Sequence, residues 1–210
     1  FRRVLFRSAA RPAVWELRLV PRYTPVVVLG AGEEGRVAVR ALLAQGAGGE
    51  DAPRGEVSPQ HLRRVLPAAP PPDLLPGERW IDVSLAEQVT VAYEGREPVF
   101  AALVSTAPHG GTPPGSYRVY RKYRTQTMAN LAGSRSQYDF RQVPWAQFYS
   151  GRFGIHAALW HDRFGHPVSH GCINLSPVDA ERLFRFTGPA LPPGWHALST
   201  DAGTRVVVRR

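Results

Sequence analysis

The stretch Ser169-His170-Gly171-Cys172-Ile173-Asn174 holds the only cysteine of the 210-residue chain. Four of the seven histidines lie in it or shortly before it: His156, His161, His166 and His170. A thiol with an imidazole nearby is the minimal equipment of a cysteine nucleophile, because the thiolate attacks and a base must generate it. Gly171 can take backbone angles that other residues avoid, so we expect amide N–H groups around Cys172 to form an oxyanion hole.

Two other interpretations of this stretch need weighing. A single cysteine is more often a small buried apolar residue than a nucleophile, but the polar neighbours of Cys172 fit an apolar core poorly. Thiolates and imidazoles also bind zinc. His166 and His170 would share one face of a helix, but Gly165 and Pro167 disfavour a helix there. We therefore expect no metal at this site.

The chain is strongly basic, with a net charge of +9 and a sequence pI of about 10.5. Such an excess of positive charge favours an anionic partner. No nucleic-acid-binding motif is present, and the basic run at residues 118–124 would alternate between the two faces of a strand. We therefore expect no nucleic-acid partner, and an anionic cell-wall polymer fits the charge at least as well.

The sequence also bears on export. It contains no run of about 18 apolar residues, so we expect no membrane span. It begins at Phe1 rather than Met, so we expect that the natural N-terminus, with any signal peptide, is missing. One cysteine allows no intrachain disulfide, which leaves the redox compartment open.

Composition divides the chain into three parts. Residues 1–67 are a flank or a small accessory β module, and residues 68–78 are a linker made stiff by prolines. Residues 79–210 carry the cysteine. In the first part we expect strands at 14–20 and 25–29, a turn at 30–32, a short helix or strand at 37–45 and a loop at 46–53.

Alternating apolar residues make the third part mainly β. We predict strands at 80–85, 88–93, 98–105, 117–123, 143–149, 153–160 and 204–209. The polar segment 125–136 is predicted to be a long loop, of the kind that often covers an active site. The expected fold is a β-sandwich with one helix.

That helix should follow the cysteine directly. Ser176 is its predicted N-cap, with Pro177 at the first position and Asp179 completing a box-like cap. Ala180, Leu183 and Phe184 form the apolar stripe, and Gly188-Pro189 ends the helix.

Three motifs carry a resemblance to a known family. The first is Ser-His-Gly-Cys-hydrophobic-Asn at residues 169–174, and the second is the isolated histidine in residues 154–160. The third is Thr-Pro-Pro-Gly at residues 112–115. Together they resemble the L,D-transpeptidase catalytic domain, also called the YkuD domain, over about residues 79–210. The segment between His156 and Ser169 is slightly shorter than is usual in that family.

The resemblance assigns roles to the central residues. Cys172 is the nucleophile and His156 is the base, oriented by the carbonyl group of Ala157. Ser169, His170 and Gly171 support the site, although His170 stays open as an alternative base. Candidate substrate-binding residues are Asn174, Tyr138 and Trp160, with Trp145 as a further aromatic candidate. Asn174 is also expected to hold the loop by side-chain hydrogen bonds, and His161 and His166 are expected to be loop residues.

His156 lies in an apolar strand, where an unpaired polar group would be costly. A facing thiolate and a backbone carbonyl would satisfy both of its ring nitrogens. As an imidazolium, His156 would lower the pKa of Cys172. We therefore expect a low-pKa thiolate that depends on His156.

The implied reaction is the cross-linking of peptidoglycan stem peptides. A tetrapeptide donor forms a thioester on Cys172 with loss of its terminal D-alanine, and an amine of another stem takes the acyl group. No cofactor is needed, a β-lactam of the carbapenem class is the implied inhibitor, and the location is the cell envelope or periplasm. Two alternatives stay open, an L,D-carboxypeptidase or other peptidoglycan hydrolase on the same scaffold and a non-catalytic wall-binding protein.

Overall fold

The computed structural model of the chain describes residues 26–41, 54–58, 68–129 and 138–210. The chain forms two units, Phe1–Leu66 and Pro67–Arg210. The predicted linker at residues 68–78 stays a prediction. In the described part of the chain, no helix has the length and apolar character that a membrane crossing requires.

The first unit contains a three-stranded antiparallel sheet in the order β1-β2-β3. Its strands are β1 (Val26–Ala31), β2 (Val37–Ala41) and β3 (Arg54–Val57). Of the segment predicted as helix or strand at 37–45, the described part, Val37–Ala41, is a strand. The predicted turn lies a few residues too early, because β1 runs through Ala31 and the reversal is made by a 3-10 turn at Glu33–Gly35. The predicted strand at 14–20 and loop at 46–53 lie outside the described residues.

In its described residues, 68–129 and 138–210, the second unit contains two five-stranded sheets and one α-helix. Its strands are β4 (Arg79–Ser84), β5 (Val89–Glu94), β6 (Glu97–Leu103), β7 (Gly115–Arg118), β8 (Arg121–Ala129), β9 (Asp139–Ser150), β10 (Phe153–Ala157), β11 (Ile173–Leu175), β12 (Ala197–Ser199) and β13 (Arg205–Arg209). One sheet has the order β6-β5-β4-β13-β7 and the other β11-β10-β9-β8-β12. The pairs β4–β13 and β10–β11 are parallel.

One hydrophobic core joins the two sheets and the helix α1 (Pro177–Phe186). Both sheets contribute β-branched and aromatic side chains, as pleated, buried surfaces favour. Its members include Ile81, Val83, Phe100, Val206 and Val208 from the first sheet, Tyr149, Ile155, Ile173 and Leu175 from the second, and Ala180 and Leu183 from α1. The predicted mainly β fold with one helix after the cysteine is confirmed.

Helix α1 begins as the sequence predicts. Ser176 Oγ accepts a hydrogen bond from the Asp179 N–H at 3.2 Å and donates to Asp179 Oδ2 at 2.6 Å. This double contact satisfies a backbone donor that the first turn cannot pair. The predicted stripe of Ala180, Leu183 and Phe184 is buried.

The predicted strand at residues 117–123 is wrong. β7 ends at Arg118, β8 begins at Arg121, and the two strands belong to different sheets. At the crossing, the Val119 N–H donates to the carbonyl oxygen of Thr204, which directly precedes β13 of the first sheet. The Tyr120 N–H donates to the carbonyl oxygen of Phe148, in β9 of the second sheet. Alternation breaks at the crossing, because Val119 and Tyr120 are adjacent and both at least half-buried, while Arg121 is exposed.

The predicted loop at residues 125–136 is also wrong over its first part. β8 continues to Ala129 and pairs with β9, with Met128 opposite Phe140. Polar side chains fit there because several residues of β8 are exposed or half-buried. Residues 130–137 lie outside the described residues.

A buried lysine holds the far end of α1. The Lys122 side chain, on β8, has no exposed surface. Its ammonium group donates to the carbonyl oxygens of Phe184 at 2.7 Å, Thr187 at 2.8 Å and Pro189 at 3.2 Å. Burial lowers the pKa of Lys122 to about 8, so the group is still charged at neutral pH. A cation suits this place because the carbonyl groups at a helix C-terminus carry partial negative charge.

We expect Lys122→Met to lower the free energy of unfolding by about 3 kcal/mol, because it leaves buried carbonyl groups without a donor. Urea denaturation at pH 7 measures the loss. The matched control is Arg121→Met on the same strand, which is exposed and should change stability by no more than about 0.5 kcal/mol. Equal stability of the two variants would contradict the anchoring role.

Candidate active site

Parallel pairing of β10 with β11 brings the predicted base and nucleophile together. Ile155 lies opposite Ile173 and His156 opposite Asn174. Cys172 directly precedes β11. Because alternate residues of a strand share a face, the side chains of His156, Cys172 and Asn174 belong to one face of the strand pair. Residues sixteen positions apart in the sequence thus meet in one site.

His156 is buried, with 2% of its surface exposed. Its Nδ1 lies 2.9 Å from the Ala157 carbonyl oxygen. A carbonyl oxygen can only accept, so Nδ1 carries the proton. Nε2 is then an acceptor in the neutral ring, and Asn174 Nδ2 lies 3.2 Å from it. Burial lowers the pKa of His156 to about 4, although the contact with Ala157 acts in the opposite direction. The ring is therefore neutral at pH 7.

Cys172 is half-buried, and its Sγ lies 3.8 Å from the Arg152 carbonyl oxygen, to which the thiol donates. Burial of the thiol raises the pKa of Cys172. A backbone hydrogen bond from Gly154 and the charge of Arg152 act in the opposite direction but are smaller. The thiol is therefore protonated at neutral pH.

The expected low-pKa thiolate paired with an imidazolium is thus wrong. Burial acts on both partners and shifts each toward its uncharged form, lowering the pKa of His156 and raising that of Cys172. The Nε2 atom of His156 contacts Asn174 instead of a thiolate. The resting pair is a neutral thiol and a neutral imidazole.

The backbone before Cys172 is held by hydroxyl groups. Ser169 Oγ donates to the Cys172 carbonyl oxygen at 2.6 Å and accepts from the Gly171 N–H at 3.2 Å. The buried Thr112 Oγ1 donates to the Gly171 carbonyl oxygen at 2.8 Å and accepts from the Ala107 N–H at 2.9 Å. Ser169 is therefore a supporting residue, while the Gly171 N–H is already engaged and does not serve the oxyanion hole in this arrangement.

Gly171 is required by its conformation. Its φ of +141° is a value that side-chain-bearing residues rarely adopt, and a Cβ there would lie 2.8 Å from the Phe153 ring. The glycine therefore lets the chain turn tightly against β10 just before the thiol.

The Asn174 side chain, predicted to bind substrate, is buried in this structure. It is 3% exposed, and its amide is occupied at both ends. Nδ2 contacts His156 Nε2, and Oδ1 lies 3.2 Å from His161 Nε2. Asn174 therefore orients the His156 ring, and His161, a loop residue as expected, is part of the same chain of contacts.

Aromatic rings line one side of the site. Trp160 stacks on Phe140 with ring centroids 3.8 Å apart and planes 4° apart. Tyr138 stacks on Phe140 at 5.5 Å and packs against the exposed His170 at 5.0 Å. Burial raises the pKa of Tyr138, and a charge on Cys172 acts in the same direction, so this ring lies near the thiol. We call Tyr138, Phe140, Trp160 and His170 the aromatic rim.

Sequence reasoning placed Tyr138 and Trp160 correctly on this side of the site but missed Phe140, which lies between them. Trp145, the further aromatic candidate, instead packs against Phe184 of α1. His166 is exposed in the loop, as expected. In the described ranges, no three His, Cys, Asp or Glu side chains come together as metal ligands.

Because burial raises the pKa of Cys172, we expect alkylation of the folded chain by iodoacetamide to be slow at pH 7. The rate should rise with pH and reach half its maximum above the ordinary thiol value of about 8.5. The urea-unfolded chain supplies the reference, since its single thiol is solvated. A plateau already reached near pH 6 in the folded chain would instead show a thiolate–imidazolium pair.

Comparison with known proteins agrees with this geometry. The family model of YkuD, the L,D-transpeptidase catalytic domain, matches residues 78–208. Among curated proteins, none matches the chain significantly.

Solved structures show the same fold. An L,D-transpeptidase from Mycobacterium smegmatis is 19% identical with a TM-score of 0.53, over 89% of this chain and 100% of that one. The L,D-transpeptidase LdtMt1 in complex with imipenem is 19% identical with a TM-score of 0.52, over 83% of this chain and 68% of that one. The family model matches more than half of the residues of this chain. The chain therefore belongs to the L,D-transpeptidase catalytic domain family.

Proposed function

We propose that this chain is a peptidoglycan L,D-transpeptidase that cross-links stem peptides through a thioester on Cys172. The observation that carries the proposal is the placement of Cys172 and His156 on one face of β10 and β11, with the His156 ring fixed by Ala157. Membership of the family supports the reaction class. Because the proposed substrate is peptidoglycan, we propose that the protein acts outside the cytoplasm, in the cell envelope or periplasm.

The neutral resting pair determines how the first step proceeds. As Sγ attacks the carbonyl carbon of the third residue of the donor stem, the thiol proton passes to His156 Nε2. The Asn174 amide N–H, which occupies this lone pair at rest, must give way. The bond to the terminal D-alanine then breaks, and its nitrogen takes the proton from His156. A thioester on Cys172 and free D-alanine result.

The second step reverses these roles. An amine of a neighbouring stem attacks the thioester carbonyl carbon, and His156 Nε2 accepts a proton from that amine. The C–S bond breaks as the new amide forms, and the proton returns to the departing sulfur. The enzyme ends with its neutral thiol and neutral imidazole.

The oxyanion of both steps needs a donor near Sγ. Since the Gly171 N–H is held by Ser169, we assign this role to the Cys172 N–H. Ser169 and Thr112 fix the peptide groups on either side of Gly171, so this donor is aimed before substrate arrives. The aromatic rim supplies apolar contacts for the aliphatic parts of the stem.

Purified muropeptides incubated with the protein should yield cross-linked dimers and released D-alanine, both measured by mass spectrometry. Cys172→Ala should lose this activity completely because no other thiol exists. His156→Ala should lose at least about 100-fold in rate, as is typical for removal of a general base. The matched control, His196→Ala, changes an exposed histidine outside the site and should stay active.

Each other outcome of this experiment has a distinct meaning. Trimmed stems without dimers would identify a hydrolase that uses water as the acceptor. Unchanged muropeptides with the folded wild-type protein would support a wall-binding protein without catalysis. Turnover by Cys172→Ala would contradict the thioester outright.

A carbapenem should acylate Cys172, since a relative of the same fold is known in complex with imipenem. Intact-mass analysis after incubation with imipenem should show one adduct on the wild-type chain and none on Cys172→Ala. Equal labelling of both proteins would show that the drug reacts elsewhere.

A further inference from the structure

Three side chains form a continuous hydrogen-bonded row from the loop after β10 to the proposed base. His161 Nε2 lies 3.2 Å from Asn174 Oδ1, and Asn174 Nδ2 lies 3.2 Å from His156 Nε2. Asn174 is 3% exposed, so water has little access to replace either contact. We call this row the His161–Asn174–His156 chain.

The direction of the chain is set at its outer end. The Arg163 N–H donates to His161 Nδ1 at 3.2 Å. Nδ1 is therefore the acceptor nitrogen of the neutral His161 ring, and Nε2 carries its proton. That proton points at Asn174 Oδ1, which leaves Asn174 Nδ2 to donate to His156. An amide's orientation is assigned from such partners, and here a backbone N–H settles it.

The contacts of His156, at the inner end of the chain of hydrogen bonds, require the same direction. The Ala157 carbonyl oxygen requires the proton on His156 Nδ1, so Nε2 of the neutral ring must accept. A reversed amide would aim Asn174 Oδ1 at Nε2, and only a protonated imidazolium has a hydrogen there while Nδ1 keeps its own. The orientation of one amide therefore decides which charge state of His156 is stabilised.

We propose that His161 is a positioning residue that holds the Asn174 amide with its N–H toward His156 and so keeps His156 a neutral base. This inference rests on the proposed function, in which His156 must accept a proton. Among the described titratable groups, Cys172 precedes the strand β11 that pairs with β10, and His161 contacts Asn174 from the loop after β10. Burial is the main reason why the pKa of His156 is lowered, and the charge of His161 acts in the same direction.

Ring nitrogen and carbon shifts of His156, followed by NMR between pH 3 and 9, test the proposal without substrate. The wild-type ring should carry its proton on Nδ1 and titrate near pH 4. In His161→Phe the amide is free to turn, and the pKa of His156 should rise by about one unit or more. His161→Gln keeps an N–H donor and should stay near the wild type. The control, His166→Phe, changes an exposed histidine of the same loop and should leave the titration unchanged.

A double-mutant cycle separates action through the amide from a direct effect of charge. In an Asn174→Ala background, His161→Phe should produce no further shift of the His156 titration. An equal shift in both backgrounds, or an unchanged His156 titration in His161→Phe, overturns the proposal. His161→Ala provides the same readings if the larger ring disturbs folding.

Failure of this inference can be told from failure of the proposed function. The NMR titration needs no turnover, whereas the proposed function fails if the wild-type protein neither converts muropeptides nor forms a thioester. Acylation by imipenem adds a kinetic reading. At pH 5 it should be slower for His161→Phe than for the wild type, because a larger share of His156 is protonated, and the two rates should converge at pH 8.

Discussion

The parallel pairing of β10 with β11 is the constraint on which the site depends. Parallel neighbours need a long connection, and here residues 158–172 make it without a helix. That connection is fastened to the segment after β6. The Gly165 N–H donates to Val104 O, the Ser169 N–H donates to Thr106 O, and Ser105 exchanges two backbone hydrogen bonds with Asn174. The loop that carries Trp160, His161 and the residues around the thiol is therefore fixed before any substrate binds.

Desolvation is the second determinant of the site's chemistry. A charge placed in this environment is costly unless it is paired and hydrogen-bonded. The structure gives His156 one carbonyl acceptor and one amide donor, a set that matches the neutral ring and not the imidazolium. The thiol donates to a carbonyl oxygen, and burial raises the pKa of Cys172 by more than the Gly154 backbone hydrogen bond and the charge of Arg152 lower it. In the reaction we propose, proton transfer therefore has to accompany attack, and the transient imidazolium exists only while substrate charge is present to balance it.

Much of the fold follows from local patterns. Alternation located most strands of the second unit, and Ser176, Pro177 and Asp179 located the start of α1. The errors at residues 117–129 have two physical causes. Val119 is fully buried where the chain changes sheets, and burial of a side chain does not show which sheet buries it. Beyond Lys122, β8 is a strand of exposed and half-buried residues, so its polar sequence predicted a loop.

The candidate site, like the fold, follows only in part from local sequence patterns. Cys172 and His156 carry a signal in residue type and spacing, and the structure places both on one face. The roles of Asn174, His161 and Phe140 depend on contacts across the connection between β10 and β11, which no local pattern encodes. A sequence motif shows that Asn174 belongs to the site, but only the register, which sets Asn174 opposite His156, shows which group its amide serves.

Buried polar contacts far from the thiol affect its position, because β11, the strand that follows Cys172, is short. A strand of three residues at a sheet edge gains little from its own ladder, because most strands are about twice as long. Helix α1 follows after a single residue, Ser176, and packs against β9, β10 and β11. Its first turn is closed by the Ser176–Asp179 contact and its last by Lys122. With both ends of the helix fixed, β11 cannot slide along β10, and a slip of one residue would turn Cys172 and Asn174 away from His156.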